Sequence, residues 1–384
     1  MKAFHCQHCG QSLYFENQRC DSCGRRLGYL APFRRLSALE PAGTDTDTWR
    51  ALAAPNERYR FCANAFHGSC NWLVKAGPTE EAYCAACRHN RIIPDLTAPD
   101  ALSRWRRTQT AQHRLFDALL ALKLPLATRA EDPRGLAFDI LHDPLESAPQ
   151  GPGVITGHAD GLITLNLLEA DDPARERLRQ TLGESYRTLL GHFRHEIGHY
   201  YWDRLIGEGP WLEPFRAVFG DERRCYDDAL ANHYAVRHPP SDWRDHYISA
   251  YATVHPWEDF AETWAHYLHM VDTLETAAAF GVRSTANQAA ADAADPDPYE
   301  SASLEQLIGA WLPLTLAVNC LNRSMGQPDL YPFTIAPTVI LKLGFIHDLI
   351  RSRGDQPPPA DRPAETLKAL IAGLAASVGD PTGA

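Results

Sequence analysis

The chain has no surplus of positive charge: 37 Lys and Arg residues face 48 Asp and Glu, for a formal net charge of -11. Phosphate binding rests on the density of Lys and Arg, so a protein whose main task is to hold nucleic acid is disfavoured. Local clusters at Arg25, Arg26, Arg34 and Arg35 and at Arg104, Arg106 and Arg107 leave room for one basic surface. No basic-then-apolar leader precedes Cys6, which argues against export. Long apolar runs are also missing; the best stretch, Ile308 to Leu321, is interrupted by Pro313 and Asn319, so no membrane is expected. Cysteine nearly vanishes after residue 87, where only Cys225 and Cys320 remain of ten. A chain-wide disulfide net is thereby excluded, and a reducing compartment, the cytoplasm, is the expected location.

The eight early cysteines form two sets. Cys6-Gln7-His8-Cys9-Gly10 and Cys20-Asp21-Ser22-Cys23-Gly24 are knuckles, each closed by a glycine that can take the positive φ of such a turn. Four thiolates then converge on one tetrahedral zinc. Cys62, Cys70, Cys84 and Cys87 are looser, and only the last pair has knuckle spacing. A second structural zinc is expected there, with His67 or His89 as a possible replacement for one Cys.

The densest chemistry lies in His195-Glu196-Ile197-Gly198-His199. Apolar residues from Tyr186 to Leu205 recur at three- and four-residue steps, predicting a helix over about 184–206 that ends at Gly207, Gly209 and Pro210. On that helix His195 and His199 share a face, with Glu196 about 100° round the axis. Two imidazoles and an adjacent carboxylate fit a hydrolytic zinc, which lowers the pKa of bound water to about 7 while the Glu takes its proton. A solvated pair of surface histidines is the bland alternative.

A catalytic zinc needs a third protein ligand, and no His follows His199 at the short metzincin spacing. Downstream, Pro256 suits a first helical position, and Trp257, Phe260, Ala261, Trp264 and Leu268 form an apolar stripe. Glu258 and Glu262 then stack on one face. We assign Glu258 to the metal and Glu262 to the spare N–H of a ligating His. The competing account is a solvated acidic face, and His255, His266 and His269 are rival ligands.

The run from Tyr186 to Trp202 and the segment from His255 to His269 resemble the bacterial zinc-binding metallopeptidases that carry an N-terminal zinc ribbon, a likeness that runs from residue 1 to about 352. The resemblance implies two structural zincs and one catalytic zinc. More distantly the two helices are similar to gluzincins, including the anthrax lethal factor catalytic domain, in which the first Glu of a Glu-x-x-x-Glu pair is the third ligand. That likeness favours Glu258 over Glu262, and it implies that Tyr251 stabilises the oxyanion; His255 is our own substitute for that role.

The expected fold is α+β: a zincin-like domain with a small mixed sheet, an active-site helix and a helical C-terminal part, preceded by small zinc-ribbon modules. Boundaries are expected at 1–34 (first ribbon), 35–97 (second cysteine module, entered through a polar connector over 39–57), 98–352 (zincin-like domain) and 353–384 (flexible tail). Helices are expected over about 103–122, 304–322 and 336–351, with a strand at 136–141. Val154 to Leu167 alternates about Asp160-Gly161, a hairpin signature, and its edge could accept a peptide as an added strand. Residues 286–298 read as a surface loop, and 364–378 as a short amphipathic helix. The expected activity is zinc-dependent peptide hydrolysis, with a peptide or protein substrate and a protein partner at the ribbons. A ribbon-based binding module with little turnover, or a hydrolase of small amide conjugates, are the alternatives.

Overall fold

The computed structural model describes residues 2–43, 47–77, 81–142, 154, 156–171, 175, 188–235, 239–282, 297–300, 303–333 and 335–355. The first turn expected for the metal helix, most of the 286–298 loop and the 364–378 helix lie outside the described residues. Two compact units emerge: residues 1–178 with 188–193, and residues 179–187 with 194–384.

The first unit opens with a two-stranded ribbon, β1 (Phe4–His5) and β2 (Ser12–Leu13). An antiparallel sheet of five strands follows in sequence order: β3 (Leu27–Leu30), β4 (Arg35–Pro41), β5 (Trp49–Ala51), β6 (Ala54–Phe61) and β7 (Leu73–Lys75). The hairpin β3–β4 therefore crosses residue 34, where the composition suggests a module boundary. The polar connector expected over 39–57 is instead largely strand. Leu39 pairs with Ala51, and both are buried with Leu30, Tyr59 and Leu73, so a few apolar positions fix register where polar neighbours mask the alternation.

A mixed sheet of order β10-β11-β9-β8 completes the unit, built from β8 (Asn90–Ile92), β9 (Ala137–Leu141), β10 (Gly157–Ala159) and β11 (Leu162–Asn166). Its parallel pairs are β8–β9 and β9–β11, and β10–β11 is the antiparallel hairpin. Asp160 and Gly161 both have positive φ, as a two-residue hairpin turn demands. Strand β8 enters this sheet from before residue 98. Helix α1 (Ala101–Ala121) ties the layers together: Arg34 makes a bidentate pair with Asp117 at 3.0 and 2.8 Å, and the Tyr29 hydroxyl donates to the same carboxylate.

Helix α2 (Leu189–Leu205) begins in the first unit and carries its later residues into the second. There α3 (Leu212–Phe219), α4 (Tyr226–Ala235), α5 (Trp243–His246), α6 (Pro256–Ala279), α7 (Leu304–Ser324) and α8 (Pro337–Ser352) follow. Phe215, Phe219, Phe260 and Phe345 form one aromatic cluster joining α3, α6 and α8. Helix α7 matches the helix expected over 304–322 and runs through Pro313 and Asn319, which interrupt only the apolar run. It is 21 residues long and, by length and composition alone, apolar enough to cross a membrane.

Candidate metal centre

Helices α2 and α6 cross closely because Gly198 has no side chain. A Cβ there would lie 2.9 Å from Cα of Ala261 and 3.3 Å from Cβ of Trp264. One turn on, Tyr201 stacks on Trp264 with ring centroids 5.1 Å apart. This contact brings the first turn of α6 against the His195–His199 face. His255 caps α6: its Nδ1 accepts from the Trp257 N–H at 3.2 Å, and its Nε2 donates to the Arg224 carbonyl at 3.1 Å. Pro256 at the first helical position has no N–H to satisfy.

Three ligand-type atoms then meet. Nε2 of His195 and Nε2 of His199 are 3.1 Å apart, and Oε2 of Glu258 lies 3.0 and 3.5 Å from them. All three residues are buried, as is Glu196. The remaining atoms are engaged so as to aim these three inward. Nδ1 of His195 donates to Oε1 of Glu262 at 2.6 Å; Oε2 of Glu262 accepts from Ser249 Oγ at 2.6 Å, and that oxygen accepts from the Ala252 N–H. Oε1 of Glu258 accepts from the Tyr226 hydroxyl at 2.6 Å, while buried Oε2 faces the two Nε2 atoms and has no other hydrogen-bond donor. Indole Trp257 covers His199 at a centroid distance of 3.9 Å.

Electrostatics concentrate here. Burial raises the Glu262 carboxyl, yet the hydrogen bond from His195 brings it down to about 2. Burial likewise works against Glu258, but the two imidazoles hold it well below the usual carboxylate range. Burial would depress His195, and its two carboxylate partners overcome this and raise it well above the ordinary histidine range. Two anions therefore compete for one imidazole in a buried space, an arrangement that a cation between Glu258 and the Nε2 atoms would relieve.

The cysteines gather as two sets of four free thiols. Cys6 and Cys23 sulfurs are 3.7 Å apart, and Cys9 and Cys20 are 3.6 Å apart. Gly10 and Gly24 close the knuckles at positive φ, their N–H groups on the Cys6 and Cys20 carbonyls at 2.8 Å. In the second set Cys70 and Cys84 are 3.8 Å apart, and backbone N–H groups of Cys84 and Cys87 point at the sulfurs of Cys62 and Cys84, 3.4 Å away.

A family model described as "Putative zinc-binding metallo-peptidase" matches residues 101–349, and a zinc-ribbon model matches residues 3–98. The chain belongs to this metallopeptidase family. Proteins of Mycobacterium bovis and Mycobacterium tuberculosis, named as uncharacterized, are 40% identical over 374 residues, 96% of this chain and 100% of each relative. No solved structure matches.

For a zinc-binding metallopeptidase the donor sets fit the metal. A tetrahedron with Zn–S bonds of about 2.3 Å has edges of about 3.8 Å, which matches the sulfur separations. With Zn–N and Zn–O bonds of about 2.0–2.1 Å the edges shorten to about 3.3 Å, inside the spread of the His195, His199 and Glu258 separations. His67 and His89 are not in the second cysteine set: His89 Nδ1 bonds the Leu136 carbonyl at 2.9 Å, and the His67 ring lies edge-on to Phe66. The rival histidines are also engaged elsewhere. His255 is the helix cap, His266 Nδ1 is 2.7 Å from the Tyr331 hydroxyl, and His269 Nδ1 is 2.5 Å from the Arg194 guanidinium.

Tyr251 starts a short 3-10 turn with its ring centroid 5.9 Å from that of His195. Tyr226 and Ser249 were not legible as site residues. Tyr226 precedes Glu258 by 32 positions with no periodic link to it, and only tertiary packing brings its hydroxyl there. Burial and the carboxylate of Glu258 keep this phenol far above its ordinary range, so it stays a donor. The arginines that could have made a basic surface are largely held by internal partners: Arg25 by Glu40, Arg34 by Asp117, Arg104 by Asp171, and Arg106 and Arg107 by backbone carbonyls.

Proposed function

We propose that this metallopeptidase hydrolyses peptide bonds with one zinc on His195, His199 and Glu258, and that zinc in each cysteine set is structural. The observation that carries the reading is the convergence of three buried ligand atoms, one of them Oε2 of Glu258 with no hydrogen-bond donor beyond the two imidazoles. When bound, zinc supplies Lewis acidity toward the scissile carbonyl and lowers the pKa of water to about 7.

The chain's own residues do the rest. Glu196, next to a ligand and within electrostatic reach of Tyr226, takes the proton of the attacking water and returns it to the leaving amine. Tyr251 donates a hydrogen bond to the oxyanion as it forms. Glu262, held by Ser249, fixes the tautomer of His195 with Nδ1 protonated and Nε2 free to bind metal. Burial of His195, Glu196, His199 and Glu258 keeps their charges in a medium of low dielectric, where interactions are strong. The substrate we assign is a peptide or protein, with the ribbons as a protein-contact module in a reducing, cytoplasmic setting.

Metal content tests the site. The three donor groups among the described residues call for three zinc ions per chain, falling to two in His195→Ala; an unchanged count would remove the catalytic centre. Glu196→Gln should keep all three metals and lose cleavage of a peptide library. Turnover retained by the metal-loaded variant would sink the assigned base.

A further inference from the structure

We infer that Tyr226 is a positioning residue that fixes how Glu258 meets the metal: its hydroxyl holds Oε1, so that only Oε2 can coordinate and a position stays open for water and substrate. The inference rests on the proposed zinc site, but concerns a side chain that belongs to neither the ligand set nor the acid–base pair. A carboxylate can bind a metal through one oxygen or two, and a second oxygen on a four-coordinate site takes the place a catalytic zinc keeps open. Here the two oxygens of Glu258 have separate environments: Oε1 accepts from Tyr226 at 2.6 Å, and Oε2 faces both imidazoles.

The placement of Tyr226 is itself constrained by the helix that carries Glu258. His255 caps that helix through Nδ1 and with Nε2 holds the Arg224 carbonyl, two residues before Tyr226. The phenol ring lies edge-on to His255 at 5.4 Å and to Trp257 at 5.9 Å, the two residues flanking the Pro256 that starts α6. One imidazole thus sets both the start of the ligand helix and the approach of the phenol, so the hydroxyl keeps register with Oε1 even though 32 residues separate the two.

The test uses full-length protein with cobalt exchanged into the histidine site, the cysteine sites kept in zinc, and His195→Ala as the blank. Four-coordinate cobalt absorbs more strongly than five-coordinate cobalt, so its visible bands report the coordination of Glu258. In Tyr226→Phe we expect weaker bands and acetohydroxamate binding weakened about 10–100-fold, the usual size of a lost supporting group. Either readout left at the wild-type value overturns the inference. Should the variant fail to fold, X-ray absorption or crystallography of the wild-type zinc form decides: one Glu258 oxygen on the metal supports it and two overturn it. A wild type with no bands above the His195→Ala blank means instead that the zinc reading has failed.

Discussion

Replacing Gly198 with Ala should separate stability from metal binding in a measurable way. Elsewhere in a helix this change stabilises, by up to about 1 kcal/mol, because Ala is the better helix former. At Gly198 the new Cβ would stand 2.9 Å from Cα of Ala261, at least 0.5 Å inside the 3.4 Å at which ordinary contact begins, and the obstacle is backbone. Overpacking of this kind costs about 1–3 kcal/mol, so the net effect is a loss of roughly 0–2 kcal/mol. A loss of 1 kcal/mol lowers Tm by about 2–4 °C in a domain of this size. Metal affinity should suffer more. Gly198 adjoins His199, and Ala261 is three residues beyond Glu258, so a half-ångström separation of α2 and α6 acts directly on donor separations of 3.0–3.5 Å. Functional constellations tolerate about 0.5 Å, and we expect zinc at this site to bind about 10–100-fold more weakly by chelator competition. Gly309→Ala in α7, where a Cβ meets open space, is the control and should be neutral or stabilising. A Gly198→Ala protein as stable as wild type, with unchanged zinc affinity, would refute the close-crossing argument.

Two further expectations concern buried charge. Burial lowers His89 to about 4, while in the unfolded chain it titrates near 6.5. As pH falls from 6.5 toward 4 the unfolded state takes up a proton that the native state refuses, so stability present above 6.5 is lost by about 3 kcal/mol at most. Denaturant titrations should show His89→Gln with a shallower decline across that window, and an identical slope would discount the effect. Separately, Lys342 pairs with Asp259 at 2.6 Å, and burial still pushes that carboxyl up to about 7. Lys342→Met should cost about 3–5 kcal/mol by stranding the carboxylate, and adding Asp259→Asn should recover part of it. Equal unfolding free energies for the single and double variants would count against a charge-pair origin.

Local regularities made much of the chain readable. Knuckle spacing with closing glycines placed the first cysteine set, and a helical period around residues 195–199 put two imidazoles on one face. Pro256 marked the start of α6, and Asp160-Gly161 marked the hairpin, because each of these signals needs only neighbours within a turn or two. Over residues 39–57 the sequence misled, since pairing of Leu39 with Ala51 depends on a sheet partner rather than on alternation.

The sequence by itself determined which residue types could hold metal and how far apart they stand along a helix: the two cysteine sets, His195, Glu196 and His199, and the stacked pair Glu258 and Glu262. Only the tertiary structure decided what each spare atom does. It gave His255 to a cap, His89 to the Leu136 carbonyl and Tyr226 to Oε1 of Glu258. The physical reason is that spacing fixes direction within one element, whereas a hydrogen-bond partner is fixed by where a second element packs. Here that depends on a single glycine letting two helices cross.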